Sequence, residues 1–335
     1  SWMESRDFEA ALERVRSFYE AYAAYVGARV VGYPELLERL FTAFLSGGHV
    51  LLEGAPGLGK TSLAKAWAAF FGLEFRRVQF TPDLMPLDVI GSNILQDGTE
   101  GREFRFYRGP IFANVVLGDE INRATPKTQS AFLEAMEERR ITFLGETYPL
   151  PDPFFVIATQ NPIELEGTYP LPEAQVDRFF MKLRFSPPDF RALKDILRIS
   201  ERPPEGSPAG REQTGEVLAL WAAASREMAA AEEVKNFIAK LVLATHPDHS
   251  PVEEVRKYVL YGASPRCAIS LLRAAKAKAA LAGRAAVSYD DVGELFEDVS
   301  AHRVILNFDA EADGVRKRDI LTAARNAVRR EFFER

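Results

Sequence analysis

Apolar residues near the start of the chain recur at steps of three and four: Phe8, Leu12, Val15, Tyr19, Tyr22 and Val26. That spacing is one face of a helix. The stripe covers fewer than three heptads, so it predicts packing onto the body of the protein and not a coiled-coil seam. Val30-Val31-Gly32 breaks it, and Glu35 to Leu45 predicts a second helix ending near Gly47-Gly48. The pattern then alternates. Short apolar strands are predicted at His49 to Glu53, Phe75 to Phe80, Ala113 to Leu117, Phe154 to Ala158 and Met181 to Phe185, with helices from Lys60 to Phe71 and Lys127 to Glu138 between them. Strands alternating with helices predict an α/β fold, a parallel sheet covered on both faces.

Two segments interrupt the alternation. Gly91 to Arg108 carries apolar residues at every second position around Gly98 and Gly101, and Arg140 to Tyr148 alternates around Gly145. Both predict inserted hairpins, either as edge decoration or as parts that touch a partner. Beyond Pro187-Pro188 the character changes. Arg202 to Gln213 is a Pro/Gly-rich loop, and nearly everything else is helical. An alanine-rich helix from Arg273 to Leu281 stops at Gly283, and Ser288 caps the next helix over Asp291 and Val292. A boundary near Ser186 is expected, dividing the chain into an N-terminal helix (1–28), an α/β domain (29–187) and a smaller helical domain (188–335).

The chemistry concentrates in the α/β domain. Gly54-Ala55-Pro56-Gly57-Leu58-Gly59-Lys60-Thr61 fits the phosphate-loop pattern, and Ser62 follows it into the predicted helix. Glycines let the backbone turn its N–H groups inward onto a polyphosphate. Lys60 places a cation on the terminal phosphates and Thr61 offers a hydroxyl to Mg2+. A strand before and a helix after are the context the motif requires, and the helix N-terminus itself favours an anion. The nucleotide expected is ATP.

Asp119-Glu120 follows the apolar run ending at Leu117-Gly118. An acid at a strand tip in such proteins holds the magnesium, and a second can polarise the attacking water. Asn161 lies just past the next strand, on the side where a parallel sheet presents its ligand, facing the terminal phosphate or the water. An arginine taken alone is ordinarily a surface residue. In this order Arg178 and Arg266 are the candidates for the remaining positive charge on the transition state. His246 and His249 flank a proline-aspartate pair with no cysteine nearby, which reads as an exposed loop and not a metal site.

Composition narrows the partners. At 335 residues, with 47% hydrophobic and 27% charged residues, the chain is of ordinary globular composition and long enough for two cores. A formal net charge of -6 supplies no global basic field for nucleic acid or anionic membranes. Cys267 is the only cysteine, which rules out an internal disulfide and a cysteine-built metal site. No apolar signal core and no long uncharged apolar run is seen, so a cytoplasmic protein without a membrane span is expected.

Taken together, Gly54 to Thr61, Gly118 to Ala124, Ala158 to Pro162, Gly167 to Phe179 and Gly262 to Arg266 resemble the MoxR family of AAA+ ATPases, over about Val30 to Leu306. The resemblance implies a P-loop core with a smaller all-α lid. It makes Gly54 to Thr61 the Walker A motif, Asp119 and Glu120 Walker B, Asn161 sensor 1, Arg178 an arginine finger reaching a neighbouring subunit, and Arg266 sensor 2, acting within its own subunit or across the interface. Gly91 to Arg108 would be the helix-2 insert and Arg140 to Tyr148 the pre-sensor-1 hairpin. It further implies ATP hydrolysis in a homo-oligomeric ring, a hexamer, that remodels or activates a protein client in chaperone fashion, often a von Willebrand A domain protein. Helicase and chelatase relatives share these inserts and offer a nucleic-acid alternative. The missing basic and aromatic repeat argues against that branch. A slowly hydrolysing scaffold is a third reading. Tyr33 stands where glutamine is frequent in the family, Gly118 where alanine is, and the basic amphipathic segment Arg316 to Arg335 has no match.

Overall fold

The computed structural model describes residues 3–54, 59–161 and 168–334. The first part of the chain runs α1 (Ser5–Arg29), α2 (Pro34–Leu45), β1 (Val50–Glu53), α3 (Lys60–Phe71), β2 (Phe75–Gln79), α4 (Pro86–Ile90), β3 (Gly91–Gly98), β4 (Gly101–Arg108), β5 (Val115–Asp119) and α5 (Pro126–Glu138). It continues through β6 (Arg140–Phe143), β7 (Glu146–Pro149), β8 (Phe155–Gln160), α6 (Glu173–Val176) and β9 (Met181–Arg184). A five-stranded sheet in the order β2–β5–β8–β1–β9 forms the centre, and the strand pairs are parallel.

Alternation along the strands explains the two covered faces. Val50 and Leu52, with Phe155, Ile157, Met181 and Leu183, pack under α1, α2 and α3. Leu51, Val116, Val156 and Ala158 point the other way, onto Phe132, Leu133 and Met136 of α5. On the first face Trp67 stacks on Phe155 at 4.7 Å. Because the strands are parallel, Glu53, Asp119 and Gln160 end at one edge of the sheet, while Val50, Val115, Phe155 and Met181 begin at the other.

The rest of the chain holds α7 (Phe190–Ser200), α8 (Arg211–Ala224), α9 (Glu232–Leu243), α10 (Glu253–Tyr258), β10 (Val259–Tyr261), α11 (Pro265–Leu281), α12 (Tyr289–Ser300), β11 (Ile305–Leu306), α13 (Phe308–Ala312) and α14 (Lys317–Phe333). It is helical apart from the short antiparallel β10–β11 ribbon. Ser288 caps α12 by accepting from Asp291 N, and the Asp291 carboxylate returns the favour to Ser288 N at 2.9 Å. The stripe on α1 docks onto α2, α3, α8 and α11, burying Ala11, Leu12, Val15, Phe18, Tyr22, Tyr25 and Val26. The α14 helix buries Ile320, Leu321, Ala324 and Val328 against its neighbours and is a packed helix with a solvated basic face.

Several boundaries differ from the expectation: the helix expected from Arg273 begins at Pro265, strand ends move by one or two residues, and two shifts have a visible cause. The strand expected at Ala113 begins at Val115, because buried Asn114 turns its side chain to Glu74 N and Pro153 O and draws the backbone off the ladder. The same strand runs on to include Asp119. The loop expected to reach Gln213 ends at Gly210, where Ala209 and Gly210 donate to Phe70 O at the C-terminus of α3.

Both inserts form hairpins, β3–β4 and β6–β7, and each is a separate two-stranded sheet. They meet each other: Phe106 stacks on Tyr148 at 4.3 Å and lies 5.5 Å from Phe143. Leu144 and Gly145 at the β6–β7 tip both have positive φ, 48° and 82°. Glycine and asparagine suit that turn; leucine does not.

Candidate nucleotide-binding and catalytic site

The loop leaving β1 has glycine where nothing else fits. A Cβ on Gly54 would lie 2.3 Å from Phe185 O, and Gly59 is left-handed with φ 84°. Ala55, Pro56, Gly57 and Leu58 lie outside the described residues. Lys60 opens α3, whose first N–H groups have no partner within the helix. Its Nζ is buried and donates to Gly54 O at 2.7 Å. Burial pushes the Lys60 pKa down, with Asp119 and Glu120 close enough to oppose the shift. A buried ammonium facing a neutral carbonyl is a cation prepared for a polyanion. Thr61 is half-buried in the next position and Ser62 is exposed.

The acids stand at the same edge of the sheet. Asp119 Oδ1 accepts from Thr159 Oγ1 at 2.9 Å, and Oδ2 accepts from Arg77 Nη2 at 2.5 Å. The same Thr159 hydroxyl accepts from Glu120 N at 2.8 Å. Glu120 has φ 55°, a left-handed backbone that a non-glycine residue adopts only under constraint. Its carboxylate accepts from Arg123 Nη1 at 3.3 Å and Gln79 Nε2 at 3.4 Å. Asn161 is buried one residue past β8, its carbonyl accepting from Asn122 Nδ2 at 3.3 Å. It lines a cleft of about 910 Å³ shared with Glu53, Asn122, Thr168, Lys182 and Lys317.

Thr159, Arg77 and Gln79 escaped the sequence reading. The signal for Thr159 was a polar residue directly following the apolar run Phe155-Val156-Ile157-Ala158, because a fully buried hydroxyl is hydrogen-bonded to something.

A second cleft of about 720 Å³ adjoins the first and includes Gly32, Tyr33, Arg184, Asp298 and Lys317. The Tyr33 ring packs on Phe185 at 4.7 Å, and its hydroxyl donates to Ser186 O at 2.8 Å. Its side chain thus braces the segment joining β9 to the lid.

Arg178 and Arg266 are not with the acids. Arg178 precedes β9, two residues before Phe180, whose N–H donates to His49 O at 2.8 Å. His49 in turn immediately precedes β1, and its Nε2 contacts Met136 O, one residue before Glu137. Arg178 Nε pairs with Glu137 at 3.0 Å, and Arg266 Nη1 lies 3.6 Å from Glu137 and 3.5 Å from Asp177. Both arginines therefore occupy the edge of the sheet where the strands begin. Lys60 is past the edge where they end. The length of β1 alone, roughly 13 Å at about 3.3 Å per residue, exceeds the reach of an arginine side chain.

Thr61 and Asp119 offer only hard oxygens, the donors magnesium takes when a few protein ligands are completed by substrate phosphates and water. The residues present fit that ion. Among the described residues no group of three or more His, Cys, Asp and Glu could hold a metal without such help. His246 is half-buried and bonded through Nε2 to Ala263 O at 2.7 Å, a structural role.

A parallel sheet with a phosphate-loop strand and helix, an acid pair at a neighbouring strand tip, a buried asparagine at the next and a helical lid define an ATPase fold of the AAA+ class. Residues 49–181 match the ATPase family associated with various cellular activities, and residues 253–324 match its lid domain. The chain is 43% identical over 288 residues to chaperone MoxR1 of Mycobacterium tuberculosis, covering 85% of this chain and 75% of that protein. It is 32% identical over 317 residues to protein MoxR of Methylorubrum extorquens, covering 90% and 91%. A crystal structure from Cytophaga hutchinsonii, provisionally assigned as an ATPase, is similar with a TM-score of 0.84 at 40% identity, covering 94% and 96% of the two chains. The chain belongs to the MoxR family of AAA+ ATPases.

Proposed function

We propose that the chain binds ATP with Mg2+ and hydrolyses it to ADP and phosphate as one subunit of a homo-oligomeric ring, a hexamer, that remodels protein clients. Lys60 and the N-terminus of α3 bind the terminal phosphates. Thr61 and Asp119 hold Mg2+, which when bound neutralises phosphate charge. Glu120 takes the proton of the water that attacks the terminal phosphorus, and Asn161 orients that water as the bond to the ADP oxygen breaks. Arg178 and Arg266 stabilise the charge that develops on the phosphate of the neighbouring subunit.

The observation that carries this reading is the separation of the two arginines from Lys60 across the sheet. Within one subunit a strand length separates them from Lys60; in a head-to-tail ring the starting edge of one sheet can face the finishing edge of the next. Arg178→Ala is expected to lower turnover on the order of 10³-fold with little change in nucleotide affinity. Mixing Arg178→Ala with Glu120→Gln subunits should restore part of the activity, since some interfaces then join an intact base to an intact finger. Full turnover by a strict monomer would refute the reading.

The paired hairpins support a protein client. Leu95, Phe104 and Leu144 are exposed, Phe104 at 72% and Leu144 at 77%, beside the Phe106–Tyr148 stack that joins the two inserts. Apolar side chains on such a projection suit contact with another polypeptide. A von Willebrand A domain protein is the client class we propose.

A further inference from the structure

Five side chains of alternating charge run from lid to core near the starting edge of β9. Arg303 Nε pairs with Asp177 Oδ1 at 2.8 Å, and Asp177 Oδ2 lies 3.5 Å from Arg266. Arg266 lies 3.6 Å from Glu137 Oε1, and Glu137 Oε2 pairs with Arg178 Nε at 3.0 Å. The lid end is anchored, because Arg303 is buried and also donates to Val299 O and Phe179 O. The core end is open: Arg178 Nη1 is buried yet has no hydrogen-bond partner among the described residues. Two guanidinium groups thus converge on one carboxylate, one at each oxygen, where unscreened they would repel.

We infer that Glu137 is a positioning residue for the trans-acting arginines. Its carboxylate sets the spacing between Arg178, carried by the core, and Arg266, carried by the lid, so that both meet one triphosphate of the adjacent subunit. Asp177, backed by Arg303, holds Arg266 from behind. The inference rests on the reading that both arginines act across an interface. Turnover decides between this role and a plain structural brace. The Glu137 side chain is 37% exposed and that of Arg266 55%, and ion pairs so exposed add little to stability. On the other side Arg178 is only 24% exposed, so a plain brace would register on removal as lost stability and leave kcat unchanged. Misplacing a catalytic charge by about 1 Å, by contrast, costs up to roughly 10²-fold in rate.

The test is steady-state ATP turnover of the full chain with Mg2+, at concentrations where it assembles, for Glu137→Gln, Glu137→Asp, Arg178→Ala, Arg266→Ala and the combined variants. Glu137→Gln is expected to lower kcat about tenfold with KM within about twofold, the mark of an interaction made in the transition state. Glu137→Asp should recover part of the loss. In the Arg178→Ala/Arg266→Ala background, Glu137→Gln should cost nothing further. An unchanged or raised kcat in Glu137→Gln overturns the proposal, and so does an undiminished effect in that background. Asp177→Asn, which loosens Arg266 while also removing the charge paired with Arg303, is the second variant should Glu137→Gln fail to fold, and wild-type turnover there counts against the proposal. If Arg178→Ala and Arg266→Ala themselves turn over normally, the trans reading falls as well. If they are impaired while Glu137→Gln is not, the positioning role alone is refuted.

Discussion

Thr159 offers the sharpest test of how the catalytic edge is held. Its hydroxyl is fully buried and joins the two acids, donating to Asp119 Oδ1 at 2.9 Å and accepting from Glu120 N at 2.8 Å. Valine has the same shape without the hydroxyl. Thr159→Val leaves the Glu120 N–H without its partner, a cost of about 1–3 kcal/mol. It also removes a bond that restrains Glu120 in its left-handed backbone, a conformation that itself costs about 1–3 kcal/mol. Freed to relax, Glu120, the proposed base, shifts, and a displacement near 1 Å lowers the rate by up to roughly 10²-fold. Thr159→Ser is the matched control: it keeps both hydrogen bonds and loses one methyl, about 0.5–1.5 kcal/mol. Phosphate release should therefore fall between roughly tenfold and 10²-fold in Thr159→Val and stay near wild type in Thr159→Ser. Chemical denaturation should show both variants destabilised, Thr159→Val the more. Titration with a fluorescent ATP analogue should show nearly unchanged affinity. Equal turnover in the two variants would refute the idea that this hydroxyl positions the acids.

Four further outcomes follow from the same geometry. Lys60→Ala should abolish nucleotide binding, because the buried ammonium at Gly54 O is the cation of the loop; an unchanged affinity would sink the assignment. Glu120→Gln should bind ATP and lose turnover, since the amide cannot accept the proton. Replacing Leu144-Gly145-Glu146 with a glycine-serine turn should spare the melting temperature and basal turnover and weaken client stimulation. Loss of all three together would mark the hairpin as structural. Finally, His49 is fully buried and pushed down to about 3, by burial first and then by Arg139. A base with a depressed folded pKa contributes its full stability above 6.5 and loses it as pH falls toward 3, by about 1.4 kcal/mol per pH unit. His302 is lowered in the same way, whereas Asp298, raised to about 6 by burial, opposes the loss between about 6 and 4. His49→Gln should flatten the dependence of unfolding free energy on pH by about one proton below pH 6; an unchanged slope would show that His49 does not carry it.

What the chain determines on its own is what local physics can write into a few consecutive residues. The phosphate loop is legible because only glycines allow its turn, and because Lys60 and Thr61 stand at fixed offsets from them. The α/β alternation is legible because a strand buried on both faces must be apolar throughout, as in Val115-Val116-Leu117. The hairpins are legible from period-two alternation around glycine. Contacts between distant residues were not. Gln79 comes to lie opposite Asp119 through the β2–β5 register, and Arg77, two residues earlier on the same face, reaches that carboxylate diagonally. Nothing in the type or spacing of an arginine announces such a partner, because register is chosen by the whole sheet. The two hairpins look independent along the chain and are joined only when Phe106 meets Tyr148. Arg178 and Arg266 could be selected as cations from their motifs, but their side of the sheet was open. Parallel strands decide it: every strand begins at one edge and ends at the other, so a residue just before β9 is placed a full strand length away from the loop that follows β1.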